Sequence, residues 1–395
     1  MIRTLLTRVA VGTVSVILSL GLAEGMLRVL DVGYTVFYDQ DPVTGVALVP
    51  GVDGVYRVEG RQDVRISSAG FRDRERSIAK PAGTFRIAVL GDSYTEAMQV
   101  ALDETFVARL EQRLGGCAAL RARPVEVLNF GVSSFGTAQE LELLKRRVWS
   151  YAPDLVVLAF LTENDVVDNV KEWNPRSEPR PYYAFRGVDL VLDDSFRASL
   201  TPNTFARGLY YGMVRASRVM QVVHTARGGA RNAALAGDRG SPVPGGTIDD
   251  FLVFRNLYRA PADPGWSEAW RLTEGMIVLM SRDVASHGAG FLLVTLSNSI
   301  QDHPDPAPGV ALAAEMGVPD LFYPDRRLAS FAAMQGIASL ALAPTFAERA
   351  RAERIYFHGS GAFIGHKHWN ATGHALAAEL MGTKICGEMI TGVGR

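Results

Sequence analysis

The segment IAVLGDSYTEAMQV, residues 87–100, changes character abruptly, and this change indicates how the chain folds. An apolar run is followed by Gly91-Asp92-Ser93 and then by a helix-like pattern. Short apolar runs of this kind are typical of strands that are buried on both faces of a parallel sheet. The segment therefore predicts a buried strand, a tight turn that carries Ser93, and a helix.

The same alternation of strand and helix continues along the chain. Further apolar runs lie at residues 125–130, 154–160, 290–296 and, more weakly, 336–342. Amphipathic stretches lie at residues 95–114, 137–150, 266–286, 326–334 and 370–381. Alternating strands and helices predict an α/β fold, a three-layer α/β/α sandwich with a five-stranded parallel sheet and right-handed crossovers.

Two regions interrupt this alternation. Residues 31–82 carry turn signals such as DPVTG and PGVDG and predict an irregular or β-rich N-terminal extension. Residues 170–265 form a large insertion, within which residues 225–247 have the Gly, Ala, Pro and Arg content that is typical of a mobile loop. We therefore expect a leader at residues 1–30, the extension, and a main domain over residues 83–386 that includes the insertion.

The N-terminal leader has the pattern of an export segment. Two arginines precede an uncharged run at residues 9–23, which is the order expected of such a segment. A Gly-Leu-Ala sequence at the end of this run resembles a cleavage site, so a secreted product is one alternative. Apolar residues continue beyond it, and Glu24 and Arg28 can pair one helical turn apart. We therefore favour an uncleaved membrane anchor over a cleaved signal, and both over a buried helix of a soluble protein.

The overall composition excludes one class of partner. With 395 residues, 48% of them hydrophobic, the chain can bury a large core. The 41 basic and 42 acidic residues leave a net charge of −1, so no overall field attracts a polyanion. We therefore expect no nucleic-acid partner.

The two cysteines, Cys117 and Cys386, lie far apart in sequence, and each follows a predicted helix. If both helices lie on the same face of the sheet in an oxidising compartment, the two thiols can form a disulfide. Two unpaired buried thiols are the alternative.

Residues that follow the predicted strands are the first candidates for a functional site, because ligands bind beyond the carboxyl ends of parallel strands. Ser93 follows the first strand and begins a helix, where its hydroxyl is exposed and its N–H belongs to a positive helix terminus. A plain helix cap by Asp92 or Ser93, with Glu96 completing a capping box, is the alternative. On GDS alone, the cap is the favoured interpretation.

Three further positions favour a nucleophile instead. Gly131 and Asn164 follow the second and third strands, and the backbone N–H of Gly131, the side-chain amide of Asn164 and the Ser93 N–H can form an oxyanion hole. His368 lies ahead of the last helix and can act as general base, since an imidazole is readily poised near neutral pH. Each position has an ordinary explanation by itself, but all of them together at strand ends favour catalysis.

These residues give the chain a resemblance to the SGNH (GDSL-like) hydrolase superfamily: Ser93 in GDSYTE, Gly131 in NFGVSS, Asn164 in TEND and His368 in HWNATGH. The segments GFRDRE, GTFRIAVLGDSYTEAMQV, DLVVLAF and HWNATGHALAAEL are similar to a bacterial group of exported or membrane-anchored members that is associated with surface polysaccharide modification. The resemblance covers roughly residues 66–169 and 268–385 and leaves the insertion unmatched.

The resemblance implies a flavodoxin-like sheet and ester chemistry without a cofactor, in which Ser93 attacks an acyl group and His368 moves the proton. The implied substrate is an acylated glycan, with O-acetyl the favoured group, or a small ester, and either water or a sugar hydroxyl accepts the acyl group. The implied location is the bacterial inner membrane, with the domain in the periplasm or outside. Polysaccharide-assembly proteins are possible partners.

The chain departs from the family pattern beside the expected base. The family places an acidic residue three or two positions before the histidine, where this chain has Gly365 and His366. The acid can come from elsewhere, a backbone carbonyl or His366 can orient His368, or activity is weak or lost. A second departure is Glu163, which stands where a glycine is common.

Two other features have competing interpretations. A histidine cluster permits a metal site, but we expect none, because no cysteine and no well-placed carboxylate accompany its members His358, His366, His368 and His374. The insertion is rich in aromatic residues, which we expect to pack a small subdomain rather than to bind sugar or the membrane interface. Besides the esterase or acyltransferase, the alternatives are a lipase or thioesterase with the insertion as lid, and a non-catalytic glycan-binding or assembly protein.

Overall fold

A computed structural model describes residues 2–121, 123–174, 179–236, 247–248 and 253–390. Its strands are β1 (Tyr38–Asp41), β2 (Gly45–Leu48), β3 (Asp53–Tyr56), β4 (Gln62–Arg65), β5 (Phe85–Gly91), β6 (Val125–Asn129), β7 (Leu155–Leu161), β8 (Tyr182–Arg186), β9 (Asp189–Asp193), β10 (Thr247–Ile248), β11 (Val253–Phe254), β12 (Gly290–Leu296) and β13 (Ala338–Ala341). Its α-helices are α1 (Ile2–Val29), α2 (Ser93–Glu96), α3 (Phe106–Leu114), α4 (Thr137–Arg146), α5 (Asp165–Asp168), α6 (Phe205–Ala216), α7 (Arg218–Ala236), α8 (Pro264–Ser286), α9 (Ala307–Met316), α10 (Tyr323–Met334), α11 (Ala343–Glu353) and α12 (Ala371–Lys384).

The five apolar runs form one parallel sheet in the order β13-β12-β7-β5-β6. Counted along the chain this is the flavodoxin-like order, so the predicted α/β fold is confirmed. The direction of winding reverses between β5 and β7, which are direct neighbours. The turns that follow these two strands carry Ser93 and Asn164, so both residues lie at the crevice where doubly wound sheets bind ligands.

Alternate residues of the central strands enter two separate cores. In β5, Ile87 and Val89 pack into the core that α3, α11 and α12 cover, and Ala88 and Leu90 pack into the core that α4 and α8 cover. All four side chains are fully buried. An apolar strand without polar alternation therefore forms here because both of its faces are covered by helices.

The helix predicted over residues 95–114 is interrupted. The structure has the short α2, a turn in which Ala97 adopts a positive φ of 56°, and then α3, whose first turn Thr105 caps. The buried guanidinium of Arg72 donates to the carbonyls of Glu96, Ala97 and Val100. A continuous helix is absent here because these carbonyls bond to Arg72 rather than to a following helical turn.

The N-terminal extension forms two antiparallel hairpins, β1–β2 and β3–β4. The disulfide Cys117–Cys386 joins the segments that follow α3 and α12, which pack against each other, so the first of the two alternatives for the cysteines is observed. The predicted mobile loop at residues 225–247 is helical as far as Ala236, and residues 237–246 lie outside the described residues.

Contacts divide the chain into two units. The larger unit spans residues 38–200 and 240–395 and contains the sheet and the hairpins. The smaller unit spans residues 1–37 and 201–239 and contains α1, α6 and α7. Part of the insertion therefore groups with the N-terminal helix, a division that sequence patterns do not indicate.

Candidate active site

Ser93 lies at the carboxyl end of β5 as the first residue of α2. The helix cap is Asp92, whose Oδ1 accepts from the backbone N–H of Tyr94 at 2.9 Å. The Ser93 hydroxyl is therefore not used for capping. It is hydrogen-bonded to Nε2 of His368 at 2.7 Å.

The second ring nitrogen of His368 contacts a carboxylate. Its Nδ1 lies 2.6 Å from Oε1 of Glu59, and its backbone N–H donates to Oε2 of the same residue at 3.3 Å. With the proton on Nδ1, the free lone pair of Nε2 faces the hydroxyl of Ser93. The three side chains thus form the serine–histidine–acid chain that a nucleophile and its base require.

Glu59 comes from the turn between β3 and β4, 309 positions before His368. Its side chain is only 6% exposed, so the carboxylate is enclosed together with the imidazole. Sequence reasoning missed this residue, because nothing in a hairpin turn marks one acid as the partner of a distant histidine. Of the alternatives that the sequence left open for the partner of His368, an acid from elsewhere in the chain, Glu59, contacts its Nδ1.

Glu59 and His368 shift each other's pKa. Burial alone would lower the pKa of His368, but the hydrogen bond and charge of Glu59 raise this pKa above its ordinary value of 6.5. Burial alone would raise the pKa of Glu59, but the hydrogen bond and charge of His368 hold it below its ordinary value of 4.5. The carboxylate is therefore ionised and stabilises a positive imidazole.

Asn164 and Gly131 are placed differently from each other. Asn164 lines the cavity beside Ser93, and its Nδ2 donates to Oδ2 of Asp168 at 3.0 Å. The N–H of Gly131 donates to Oδ1 of Asn129 at 2.9 Å, and Gly131 is not among the residues that line the cavity. A Cβ at Gly131 would lie 2.5 Å from a backbone nitrogen of α2, so close packing against this helix explains the glycine.

Ser134, from the turn after the second strand, lines the cavity where Gly131 was expected to do so. It lines the cavity with Ser93 and Asn164, and its backbone has a positive φ of 67°. Among the described residues, no acceptor bonds its N–H. Sequence reasoning missed Ser134, although a turn after the second strand was a signal that could have found it.

The cavity at this crevice has a volume of about 320 Å³. The residues that line it are Glu59, Ser93, Tyr94, Ser134, Leu161, Glu163, Asn164, Asp168, Arg180, Ser299, Lys367 and His368. A second cavity of about 400 Å³ is lined by residues that include Ile300, Phe322 and Arg351, but by no serine or cysteine. The smaller cavity is therefore the candidate active site.

Three carboxyl groups lie near Ser93: Asp92 is buried, while Glu163 and Asp168 line the cavity and are partly exposed. Burial raises the pKa of Asp92 to about 6, and burial together with the charge of Asp92 raises the pKa of Glu163 to about 8. Burial also raises the pKa of Asp168, although the charge of Arg180, 3.3 Å away, opposes this shift. Glu163, which stands where a glycine is common, thus has a pKa raised toward neutral pH at the wall of the cavity.

The four histidines considered for a metal site do not assemble into one. His358 contacts Asp302 at 3.1 Å and the carbonyl of Lys367 at 2.8 Å, while Nδ1 of His374 accepts from the backbone N–H of Phe106. Among the described residues, no group of three or more His, Cys, Asp or Glu side chains is arranged to hold a metal ion.

The chain matches no family model, and no curated protein matches it. Similar solved structures include the acetyl xylan esterase AlAXEase, with 13% identity, a TM-score of 0.39 and coverage of 76% of this chain and all of that one. A catalytic mutant of Axe2, an acetylxylan esterase from Geobacillus stearothermophilus, has 13% identity, a TM-score of 0.39 and coverage of 77% and 94%. TesA has 13% identity, a TM-score of 0.36 and coverage of 77% and 99%. Similarity at this level carries no argument about the activity of this chain.

Proposed function

We propose that the protein is a serine esterase that acts on O-acyl groups, chiefly O-acetyl, of an extracytoplasmic polysaccharide. The observation that carries the proposal is the continuous chain of contacts from the Ser93 hydroxyl through both ring nitrogens of His368 to the Glu59 carboxylate. A plain cap needs none of these contacts, and Asp92 already caps the helix.

The proposed reaction has two steps. Ser93 Oγ attacks the acyl carbonyl while His368 Nε2 takes the hydroxyl proton, and the sugar oxygen leaves with that proton. In the second step, water gives a proton to Nε2 and attacks the acyl-enzyme, which releases the acid and restores the Ser93 hydroxyl. Glu59 stays ionised throughout and stabilises the imidazolium.

The oxyanion that forms in each step needs donors near Ser93. Three donors belong to residues that line the cavity: the N–H of Ser93 at the start of α2, the N–H of Ser134 and the amide of Asn164. The N–H of Ser134 has no acceptor among the described residues. We assign the hole to these three groups, with Ser134 in place of Gly131. Donors of this kind stabilise the transition state because the charge develops where they already point.

The proposed location outside the cytoplasm rests on two observations. Helix α1 has 28 residues, a mean hydropathy of 1.9 over its most apolar window and no buried residue. The disulfide Cys117–Cys386 is of the kind that persists in oxidising compartments. We infer a chain that is anchored in the bacterial inner membrane by α1, with the larger unit on the periplasmic side.

The competing functions lose the observations that motivated them. A non-catalytic role was suggested by the missing acid, and Glu59 now occupies that position. A lipase lid was suggested by the aromatic insertion, but its Tyr258 is fully buried and its Trp173 packs against Trp266 of α8 with ring centroids 4.9 Å apart. Transfer to a sugar hydroxyl remains the second candidate, because it shares the acyl-enzyme with hydrolysis.

The test is hydrolysis of 4-nitrophenyl acetate by the full chain in detergent. We expect Ser93→Ala to lower kcat/KM at least about 10³-fold, and Ser150→Ala, at an exposed serine, to leave it unchanged. A fluorophosphonate probe should label the wild type and Ser150→Ala but not Ser93→Ala. Equal turnover by all three proteins would refute the serine mechanism, and a preference for long acyl chains over acetyl would favour the lipase.

A further inference from the structure

Helix α6 of the smaller unit has two different faces. Val214 is fully buried and lies on the side of the helix that carries Tyr210 and Tyr211, whose rings contact His224 of α7. The opposite side carries Phe205, Leu209 and Met213, which are spaced four residues apart and are 88%, 54% and 43% exposed. Residues at this spacing form one stripe along a helix, so α6 packs on α7 with one face and presents apolar side chains on the other.

Specific contacts fix this helical pair to the end of α1. The carboxylate of Glu24 accepts from the backbone N–H groups of Arg218 and Val219, both at 3.0 Å, and from the hydroxyl of Ser217 at 2.8 Å. Glu24 thus caps the N-terminus of α7. Arg28 pairs with Glu24 and donates to the carbonyl of Ala216, the last residue of α6, at 2.9 Å.

The position of these contacts along α1 indicates the depth at which the contacted ends of α6 and α7 lie in a bilayer. From Arg8 to Glu24 the helix rises about 24 Å, somewhat less than the roughly 30 Å hydrocarbon core, so both charged ends lie near the boundaries of the core, where long side chains reach the headgroups. The uncharged run at residues 9–23 lies between these charged ends. Glu24 and Arg28 therefore lie at the outer boundary of the core when α1 spans the membrane, and the end of α6 that contacts Arg28 lies at the same level.

We propose that α6 is an interfacial helix, whose stripe of Phe205, Leu209 and Met213 inserts into the outer leaflet of the bilayer that α1 spans. Arg207 and Arg215 of the same helix lie off this stripe and suit the anionic headgroup region. Because Glu24 and Arg28 hold the end of α6 and the start of α7 at the boundary, the stripe lies within reach of lipid in this proposal without a further partner protein. The proposal rests on the membrane anchor of the proposed function, not on its esterase chemistry.

The test uses the full chain in vesicles of phosphatidylethanolamine and phosphatidylglycerol that contain doxyl-labelled lipid. A bimane fluorophore is attached to Leu209→Cys, to Val188→Cys as the control, and to Leu18→Cys to report on α1. Val188 is a matched control, because it is an apolar residue that is 90% exposed in the turn between β8 and β9 of the larger unit. The native disulfide leaves no other free thiol.

We expect doxyl lipid to quench the Leu209→Cys label severalfold more than the Val188→Cys label, and aqueous iodide to show the opposite order. Equal behaviour of these two labels would overturn the proposal. Shielding of the Leu209→Cys label from iodide without quenching by lipid would overturn it in favour of a protein partner or a second copy. An unquenched Leu18→Cys label would remove its premise, the anchor, while acetate hydrolysis by the same samples reports on the esterase separately.

Discussion

Two histidines near the C-terminus each contact a carboxylate, but only His368 also contacts a serine hydroxyl, whereas the hydroxyl beside His358 is that of Tyr94, 3.4 Å from its Nδ1. His368 lies between Glu59 and Ser93 and is 24% exposed in its side chain, at the wall of the cavity. His358 lies between Asp302 and the carbonyl of Lys367, and both members of its pair are 1% exposed. The two histidines therefore differ in the partner of the ring nitrogen that does not face the carboxylate, which is Ser93 for His368 and the carbonyl of Lys367 for His358.

This difference indicates a catalytic role for His368 and a structural role for His358. Asp302 and the carbonyl of Lys367 lie at the two ring nitrogens of His358, so both nitrogens are engaged within the protein and neither faces Ser93. Its contact with Lys367 instead holds the residue that precedes His368, where the backbone has a positive φ of 68°. We infer that the buried pair of His358 and Asp302 positions the loop from which His368 reaches Ser93.

The largest expected effect is that of removing the base. His368→Ala should lower kcat/KM for 4-nitrophenyl acetate about 10⁴-fold, because Ser93 then has no group that accepts its proton. His366→Ala, two residues away, should reduce activity only modestly. The measurement is steady-state kinetics on both variants. If His366→Ala is as damaging as His368→Ala, the base is misassigned.

Removing the acid should cost somewhat less. Glu59→Gln keeps the size of the side chain but removes the charge that stabilises the imidazolium, and we expect kcat to fall about 10³-fold. Glu75→Gln is a suitable control, because Glu75 is an exposed acid of the same extension whose contacts are with Ser68 rather than with the site. A Glu59→Gln variant with wild-type kcat would show that His368 works without its carboxylate.

Removing the supporting histidine should act mainly on stability. His358→Ala leaves Asp302 buried without its partner, and breaking such a pair costs on the order of 3 kcal/mol in the free energy of unfolding. We expect kcat to fall about tenfold through a misplaced His368, with KM nearly unchanged. Chemical denaturation and kinetics on the same preparation measure the two effects. Loss of activity as large as that of His368→Ala, in a folded protein, would contradict the distinction between the pairs.

Those parts of the fold and of the candidate site that depend on interactions between neighbouring residues can be predicted from the sequence, and those that depend on distant residues cannot. The strand β5 and the cap at Asp92 follow from residues within a few positions of Ser93, and they were predicted. The acid was not, because Glu59 reaches His368 only through the pairing of a hairpin from the other end of the chain. For the same reason, the break after α2 escaped prediction, since it depends on the distant side chain of Arg72.

Gly131 shows a different limit of prediction from sequence. Its place after the second strand favoured a role as oxyanion donor, because a glycine permits close approach of a substrate. In the structure the close approach is that of α2 to the strand end, and the N–H is already bonded to Asn129. A glycine pattern indicates that something lies close to the backbone, but it does not say whether this is a ligand or a neighbouring helix.

The smallest effect, and the most specific, is on the pH dependence of activity. The base must be neutral to accept the Ser93 proton, and Glu59 raises the pKa of His368, so kcat/KM should fall as the pH drops through a value above 6.5. In Glu59→Gln the main contribution that raises this pKa is gone and burial favours the neutral imidazole, so the acid limb of the residual activity should move to lower pH. In His358→Ala the acid limb should move less than in Glu59→Gln, because the carboxylate that raises the pKa of His368 is still present. Profiles of kcat/KM against pH for the three proteins measure this, and a shift in His358→Ala equal to that in Glu59→Gln would mean that the two pairs titrate together.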